Sequence, residues 1–238
     1  MRKIFLDVGG HRGQTIEEVS KPLYSFDTIH CFEPLPRNSG EITARFGQIK
    51  GLQIHTSGLS DKDAVLTIFE GKTGDLGAST KHSGHPGEWI ETECSFVEAS
   101  RFFRENIQDG DFVLMKLNCE GAECDILNNL IDSGEISKVH NVMIDFDVRK
   151  FRGLETEEHK LLARFQAIGF SRYSLASKVM VGKTHQARIA NWIRSVVGHE
   201  NIRDTMSWSE RLGYMATKLL YAFRKATKKL KNFFRNRH

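Results

Sequence analysis

The apolar run Ile4-Phe5-Leu6-Asp7-Val8 breaks into Gly9-Gly10-His11-Arg12-Gly13, and a second short run, Ile29 to Phe32, then ends in Glu33-Pro34. Runs this short and this apolar are strands buried on both faces of a sheet. The glycines mark a tight turn, and a helical segment follows. Strand, glycine turn, helix, strand and acid together describe an open α/β sheet that binds a nucleoside-bearing cofactor. The glycines let backbone approach the ligand, and the acid accepts hydrogen bonds from ribose hydroxyls.

The spacing differs from the dinucleotide fingerprint. Asp7 to Gly13 reads D-x-G-G-x-x-G, with an acid at the strand end. A pyrophosphate would be repelled there, whereas a cationic sulfonium with an amino-acid tail would be attracted. S-adenosylmethionine is therefore expected rather than NAD. A glycine turn alone also serves as a plain strand-to-helix connection, and it is Glu33 that favours cofactor binding.

The 238 residues suit one α/β domain with an appendage. A hydrophobic content of 39% with 27% charged residues is ordinary for a soluble globular protein. Met1-Arg2-Lys3 leads straight into the first strand, so no leader peptide is expected, and no apolar run reaches the length of a membrane span. Cys31, Cys94, Cys119 and Cys124 form no CxxC pair. They are expected to be free thiols in a reducing cytoplasm, with no zinc or other metal site. Net charge is unevenly divided. Residues 201–238 hold ten Lys/Arg against Asp204 and Glu210, a balance of +8, so the rest of the chain carries −4. Such a split suggests a body that does chemistry and a tail that finds an anionic surface.

Periodicity predicts strands over 3–8, 28–33, 53–57, 65–69, 89–96, 111–117 and 139–146, with helices over 13–20, 38–47, 98–106, 122–131 and 155–168. Residues 170–177 and 178–182 read as a terminal antiparallel pair. The expected fold is a doubly wound, Rossmann-like sheet of seven strands occupying residues 1–184. A helical extension covers 185–238. The glycine-rich loop 71–87 is too long for a mere connection and is expected to be functional or disordered.

Together these blocks resemble the FkbM family of S-adenosylmethionine-dependent methyltransferases over roughly residues 3–175. The matching pieces are Asp7 to Gly13, Cys31-Phe32-Glu33-Pro34, Ser57-Gly58-Leu59-Ser60-Asp61, Gly77-Ala78-Ser79, and Lys116-Leu117-Asn118-Cys119-Glu120-Gly121-Ala122-Glu123. The last, K-x-[acid]-x-E-G-x-E after a buried strand, is the most distinctive. Three departures stand out. Asn118 replaces the family's acid, so it can position a hydroxyl or the cofactor but cannot act as a base. Gly10 stands where the family has Ala. The chain also begins at the first strand, without the upstream helical segment such enzymes often carry.

The resemblance implies a cofactor site formed by Asp7, Gly9, Gly10, Gly13, Glu33, Ser60, Asp61 and Asn118. The glycines allow close backbone approach, Glu33 takes the ribose, and Ser60 and Asp61 take the adenine edge. Glu120 is the first choice for orienting the acceptor or removing its proton; its alternative is to cap the following helix. Asp145, at a strand end, is the second base. Lys116 either holds an acidic substrate group or pairs with Glu120. His82 and His85, in the long loop, are further base candidates. Glu123 is assigned a structural role.

In the tail, Leu212, Ala216, Leu219, Phe223, Ala226, Leu230 and Phe233 recur at helical spacing among lysines and arginines. This is the composition of an interfacial amphipathic helix, although a stripe that packs on the body or dimerises reads the same way. The expected function is O-methylation of a sugar hydroxyl in a glycan or glycolipid, by a cytoplasmic enzyme brought to the inner membrane face by residues 205–238. The alternatives are a small-molecule or macrolide O-methyltransferase, or a non-catalytic cofactor- or glycan-binding adapter docked by its tail. Nucleic acid is not an expected partner, and the oligomeric state is left open. Deleting 205–238 should abolish sedimentation with anionic vesicles while sparing cofactor affinity. Added salt should weaken sedimentation of the full chain, because exposed charges are screened over about 8 Å. A truncated protein that still sediments would overturn the membrane reading.

Overall fold

A computed structural model describes residues 1–71, 79, 89–148, 151, 153–154 and 156–197. His82, His85 and the expected helix over 205–238 lie outside the described residues. The chain divides into two compact units, Met1–Ser177 and Lys178–His238.

The first unit runs β1 (Lys3–Val8), α1 (Gln14–Val19), β2 (Thr28–Phe32), α2 (Pro36–Phe46), β3 (Leu52–His55), β4 (Gly58–Ser60), β5 (Ala64–Gly71), β6 (Trp89–Glu98), α3 (Ala99–Asn106), β7 (Phe112–Leu117), α4 (Glu123–Asp132), β8 (Val139–Ile144), α5 (Glu157–Ala167) and β9 (Tyr173–Leu175). Six of these strands form one parallel sheet in the order β3-β2-β1-β7-β8-β9. The chain reverses its direction of growth between β1 and β7, and in such sheets the crevice beyond the carboxyl ends at that point is where ligands bind. β1 and β7 are buried on both faces, which is why their sequences are almost unbroken apolar runs.

Two expectations need correction. The predicted strands near 65–69 and 89–96 are not part of the main sheet. They pair with each other antiparallel as β5 and β6, with β4 parallel to β6, in a separate three-stranded sheet. The sheet therefore has six strands among the described residues rather than seven. The expected terminal antiparallel pair is also absent there. α5 ends in a Schellman motif in which Gly169, at φ +69, turns the chain, and the Phe170 amide donates to the Phe165 carbonyl at 2.8 Å. The turn sends β9 into the sheet parallel to β8, and residues Ala176–Val179 then wind into a short helix, α6, instead of returning as a strand.

In the second unit α7 (His185–Val197) buries Ile189, Ala190, Trp192 and Ile193, spaced as one helical face. Asn191 Nδ2 donates to the Val181 carbonyl at 2.6 Å, tying the helix to the turn before it. No described helix is long and apolar enough to cross a membrane.

Beneath the carboxyl ends of β2 and β3 lies an aromatic cluster. His55 stacks on Phe32 with ring centroids 4.4 Å apart, and Phe102 meets Phe32 edge-on. His30, only 3% exposed, places Nδ1 3.1 Å from His55 Nε2. Burial lowers both imidazoles, His30 to about 4. An unfolded histidine titrates near 6.5, so below that pH the unfolded chain binds protons that the folded one resists. His30 therefore contributes stability above about pH 6.5 that is lost as pH falls towards about 4. Urea midpoints taken at about pH 7 and about pH 5 should drop further for the wild-type chain than for His30→Phe. Equal drops would show that the pair does not govern this range.

Candidate functional site

The turn after β1 is shaped by its own neighbours. Gly9 has φ +86, and a Cβ there would lie 1.8 Å from the Asn118 carbonyl oxygen. A Cβ on Gly10 would lie 2.4 Å from Cys31 Sγ, and one on Gly13, at φ +79, 2.6 Å from the Phe46 ring. Of the three glycines expected to admit a ligand, Gly9 lines the cleft; Gly10 and Gly13 do not. Those two are small because strand and helix pack closely around them. The turn's amides are also engaged: Gly9 and Gly10 both donate to the Phe32 carbonyl, at 3.0 and 2.9 Å, and Gly13 donates to that of Gly10.

Asp7 sits in register between Cys31 of β2 and Lys116 of β7 and is 0% exposed. Burial pushes its carboxyl up, and the Lys116 ammonium, 3.0 Å away, opposes that shift. Lys116 is itself buried and donates to the Gly9 carbonyl at 2.6 Å. Asp7, expected at the cofactor, pairs with a lysine inside the sheet and lies outside the cleft lining. Lys116, expected to pair with Glu120 or to hold a substrate acid, pairs with Asp7 and is likewise outside the lining.

Glu33 follows β2 and is 5% exposed. Its Oε2 accepts from the His11 amide at 2.7 Å, and Oε1 accepts from the Leu35 amide at 3.1 Å and Asn38 Nδ2 at 3.3 Å. Burial raises its pKa, and the backbone bonds from Leu35 and His11 pull it back towards the ionised form. Three donors leave part of a carboxylate's four or so acceptor positions available to a ligand.

Glu33 lines a cleft, partly open to solvent, beyond the carboxyl ends of β1, β2 and β7. Its lining includes the apolar side chains of Phe32, Leu35, Leu59, Ile68 and Phe96 together with Gly9, His11, Asn118, Cys119 and Glu120. The Asn118 amide donates to the Val8 carbonyl at 3.1 Å, while its side-chain Oδ1 is buried with no hydrogen-bond partner. Among the described residues no group of three metal-ligating side chains comes together.

The Cys119–Glu123 loop divides its work. Glu123, 0% exposed, accepts from the Cys119 and Gly121 amides at 3.1 and 3.0 Å through Oε1. Gly121 takes φ +105, where a Cβ would meet the Phe151 ring at 2.7 Å. Glu120 holds φ +52 and lines the cleft. Among the described residues three non-glycine residues have positive φ, namely His11, Ser25 and Glu120, and two of them line this one cleft. Backbone strain of this kind is held in place by its surroundings and concentrates at functional sites.

Asp145 ends up beside the cleft and not in its lining; its amide donates to the Leu117 carbonyl at 2.9 Å, past the end of β8. Ser60 and Asp61 also fall outside the lining. Ser60 Oγ donates to Asp61 Oδ1 at 3.1 Å, and Gly58 and Leu59 face the cleft in their place. Sequence reasoning missed His11, Asn38, Ile68 and Phe96 as lining residues. His11 lay inside the quoted glycine block, but its entry into the cleft depends on φ +49. Burial lowers its pKa, so the ring stays neutral near neutral pH. Ile68 and Phe96 arrive from the separate sheet, for which no local signal exists.

The sequence pattern of the methyltransferase FkbM domain matches residues 7–214. A similar solved structure is the crystal structure of methyltransferase FkbM from Methylobacillus flagellatus KT, 12% identical, with a TM-score of 0.42. The match covers 70% of this chain and 37% of that one, so the chain spans well under half the length of the protein it matches. Comparison with curated proteins gives no match.

If Gly10 is small because of Cys31, Gly10→Ala should cost about 1–3 kcal/mol of overpacking. Cys31→Ala in the same chain should recover part of the loss, as read by urea unfolding. A Gly10→Ala chain that is fully stable would mean that the glycine serves a ligand instead.

Proposed function

Because the chain belongs to the FkbM methyltransferase family, we propose that it is an S-adenosylmethionine-dependent O-methyltransferase acting on a sugar hydroxyl of a glycan or glycolipid. The observation that carries the cofactor reading is the state of the glycine turn. Pyrophosphate binding needs outward-facing backbone amides at the strand-to-helix turn. Here the amides of Gly9, Gly10, His11 and Gly13 bond to Phe32, Glu33 and Gly10, and no such cradle remains among these four. The anchored Glu33 carboxylate and the apolar wall still suit a nucleoside without a pyrophosphate.

Glu33 would accept from ribose hydroxyls, and Phe32, Leu35, Leu59, Ile68 and Phe96 would enclose the adenine. Gly9 offers the cofactor's amino-acid end a wall without a side chain, and Asn118 Oδ1 supplies an uncharged acceptor. When bound, S-adenosylmethionine supplies an electrophilic methyl group on a sulfonium. Glu120 orients the acceptor hydroxyl and takes its proton as the oxygen–carbon bond forms and the carbon–sulfur bond breaks. Positioning provides most of the rate, and a base of this kind contributes about 10²–10⁴-fold. A sugar acceptor agrees with the family resemblance, and the basic, apolar-striped pattern of 205–238 supports delivery to an anionic membrane carrying such acceptors.

Acceptor pools incubated with isotopically labelled S-adenosylmethionine should yield a methylated product by mass spectrometry. Glu33→Gln should weaken S-adenosylhomocysteine binding at least about tenfold, as expected for losing about 1.5–3 kcal/mol of charge-assisted hydrogen bonding. Glu120→Gln should instead lower kcat and leave that affinity unchanged. Calorimetry showing no binding of S-adenosylhomocysteine, or tighter binding of NAD, would sink the proposal.

A further inference from the structure

Ser79 lies forty-one residues from Glu120 in sequence, yet its Oγ donates to the Glu120 carbonyl at 2.7 Å. Its own backbone is bracketed by Phe69 of β5, with Phe69 N to Ser79 O at 2.9 Å and Ser79 N to Phe69 O at 3.1 Å. The hydroxyl is thus offered from a residue bridged to β5, and Ser79 is buried. On the far side of the same peptide unit, the Gly121 amide donates to Glu123 Oε1 at 3.0 Å. One peptide unit is therefore held at both ends, its oxygen by a serine bridged to β5 and its N–H by a carboxylate of α4. The residue before it, Cys119, is tied to the same carboxylate at 3.1 Å.

Glu120 has φ +52, a region that glutamate occupies when its surroundings over-determine it. Glu120 lines the cleft, whereas Ser79 does not. Glu123 and Gly121 explain how the loop is turned, but they act from within it. Ser79 ties the loop from forty-one positions away in sequence. We propose that Ser79 is a positioning residue for Glu120, fixing the peptide that presents this carboxylate to the acceptor. The claim rests on the reading of Glu120 as the proton acceptor.

The test compares Ser79→Ala, Ser79→Thr and Glu120→Gln, singly and combined, with S-adenosylhomocysteine as the binding probe and the labelled-methyl product as the activity readout. Ser79→Ala should lower kcat about tenfold, as misplacement of a reacting group does. S-adenosylhomocysteine affinity should hold within about twofold, and Ser79→Thr, which keeps the hydroxyl, should restore most of the rate. In the Glu120→Gln background Ser79→Ala should have no further effect on kcat, since both changes remove one function. Unchanged kcat in Ser79→Ala, or full additivity with Glu120→Gln, would overturn the proposal. Should Ser79→Ala fail to fold, Ser79→Cys, a weaker donor of similar size, should show the same ordering at smaller amplitude. NMR provides a readout without turnover: amide signals of Cys119 to Gly121 should move in Ser79→Ala and stay in Ser79→Thr. If the wild-type chain binds no S-adenosylhomocysteine, the cofactor reading fails, and the amide signals still decide whether Ser79 holds this loop.

Discussion

The Asp7–Lys116 pair sits at the centre of the sheet, where two neighbouring strands end and the chain reverses its direction of growth. Asp7 is fully buried and Lys116 nearly so, so each depends on the other, and the ammonium has a second acceptor in the Gly9 carbonyl. Removing one member would leave a buried charge without compensation, a larger loss than replacing both. The pair therefore holds β1 to β7 in register and also orients the turn that follows β1. From that turn descend the close approach of Gly9 to Asn118, the shared acceptor at the Phe32 carbonyl, and the His11 amide that meets Glu33.

Two buried carboxylates at adjacent strand ends thus take opposite roles. Asp7 is matched by a lysine and faces inward. Glu33 is matched by neutral amides, which stabilise its charge without cancelling it, and it faces the cleft. Both are pushed up by burial, so the pKa direction does not distinguish them. What differs is the charge of the partner, and that decides which acid can still recognise a ligand.

The block from Lys116 to Glu123 distributes tasks along eight residues. Lys116 reaches back under the sheet, Asn118 and Glu120 enter the cleft, Gly121 makes room for Phe151, and Glu123 collects the loop's amides. Glu123 was read from sequence as structural, and its bonds agree with that. Glu123 gathers the amides before α4, and Glu120 lines the cleft.

Much of the fold was legible because buried parallel strands write themselves as short apolar runs. β1, β2, β7 and β8, the glycine turn between β1 and α1, and the closure of α5 at Gly169 all follow from local pattern. Glu33 was legible for the same reason, since an acid at a strand end has few uses. Strand partnership was not. The pattern of β5 and β6 is that of half-exposed strands, but nothing local says that they leave the main sheet to form another and carry Ile68 and Phe96 to the cleft. Nor could the sequence assign the direction in which Asp7 and Lys116 point, because a strand's alternation gives the face of a residue and not the neighbour across it. The sequence by itself determined the order of elements and which residues stand at the strand ends, through apolar periodicity and turn chemistry, which act over a few neighbouring residues. Which of those residues face one another, and so which acid meets a lysine and which peptide a distant serine holds, was decided by the tertiary structure, because charge compensation and hydrogen bonding depend on distances in space that sequence separation does not set.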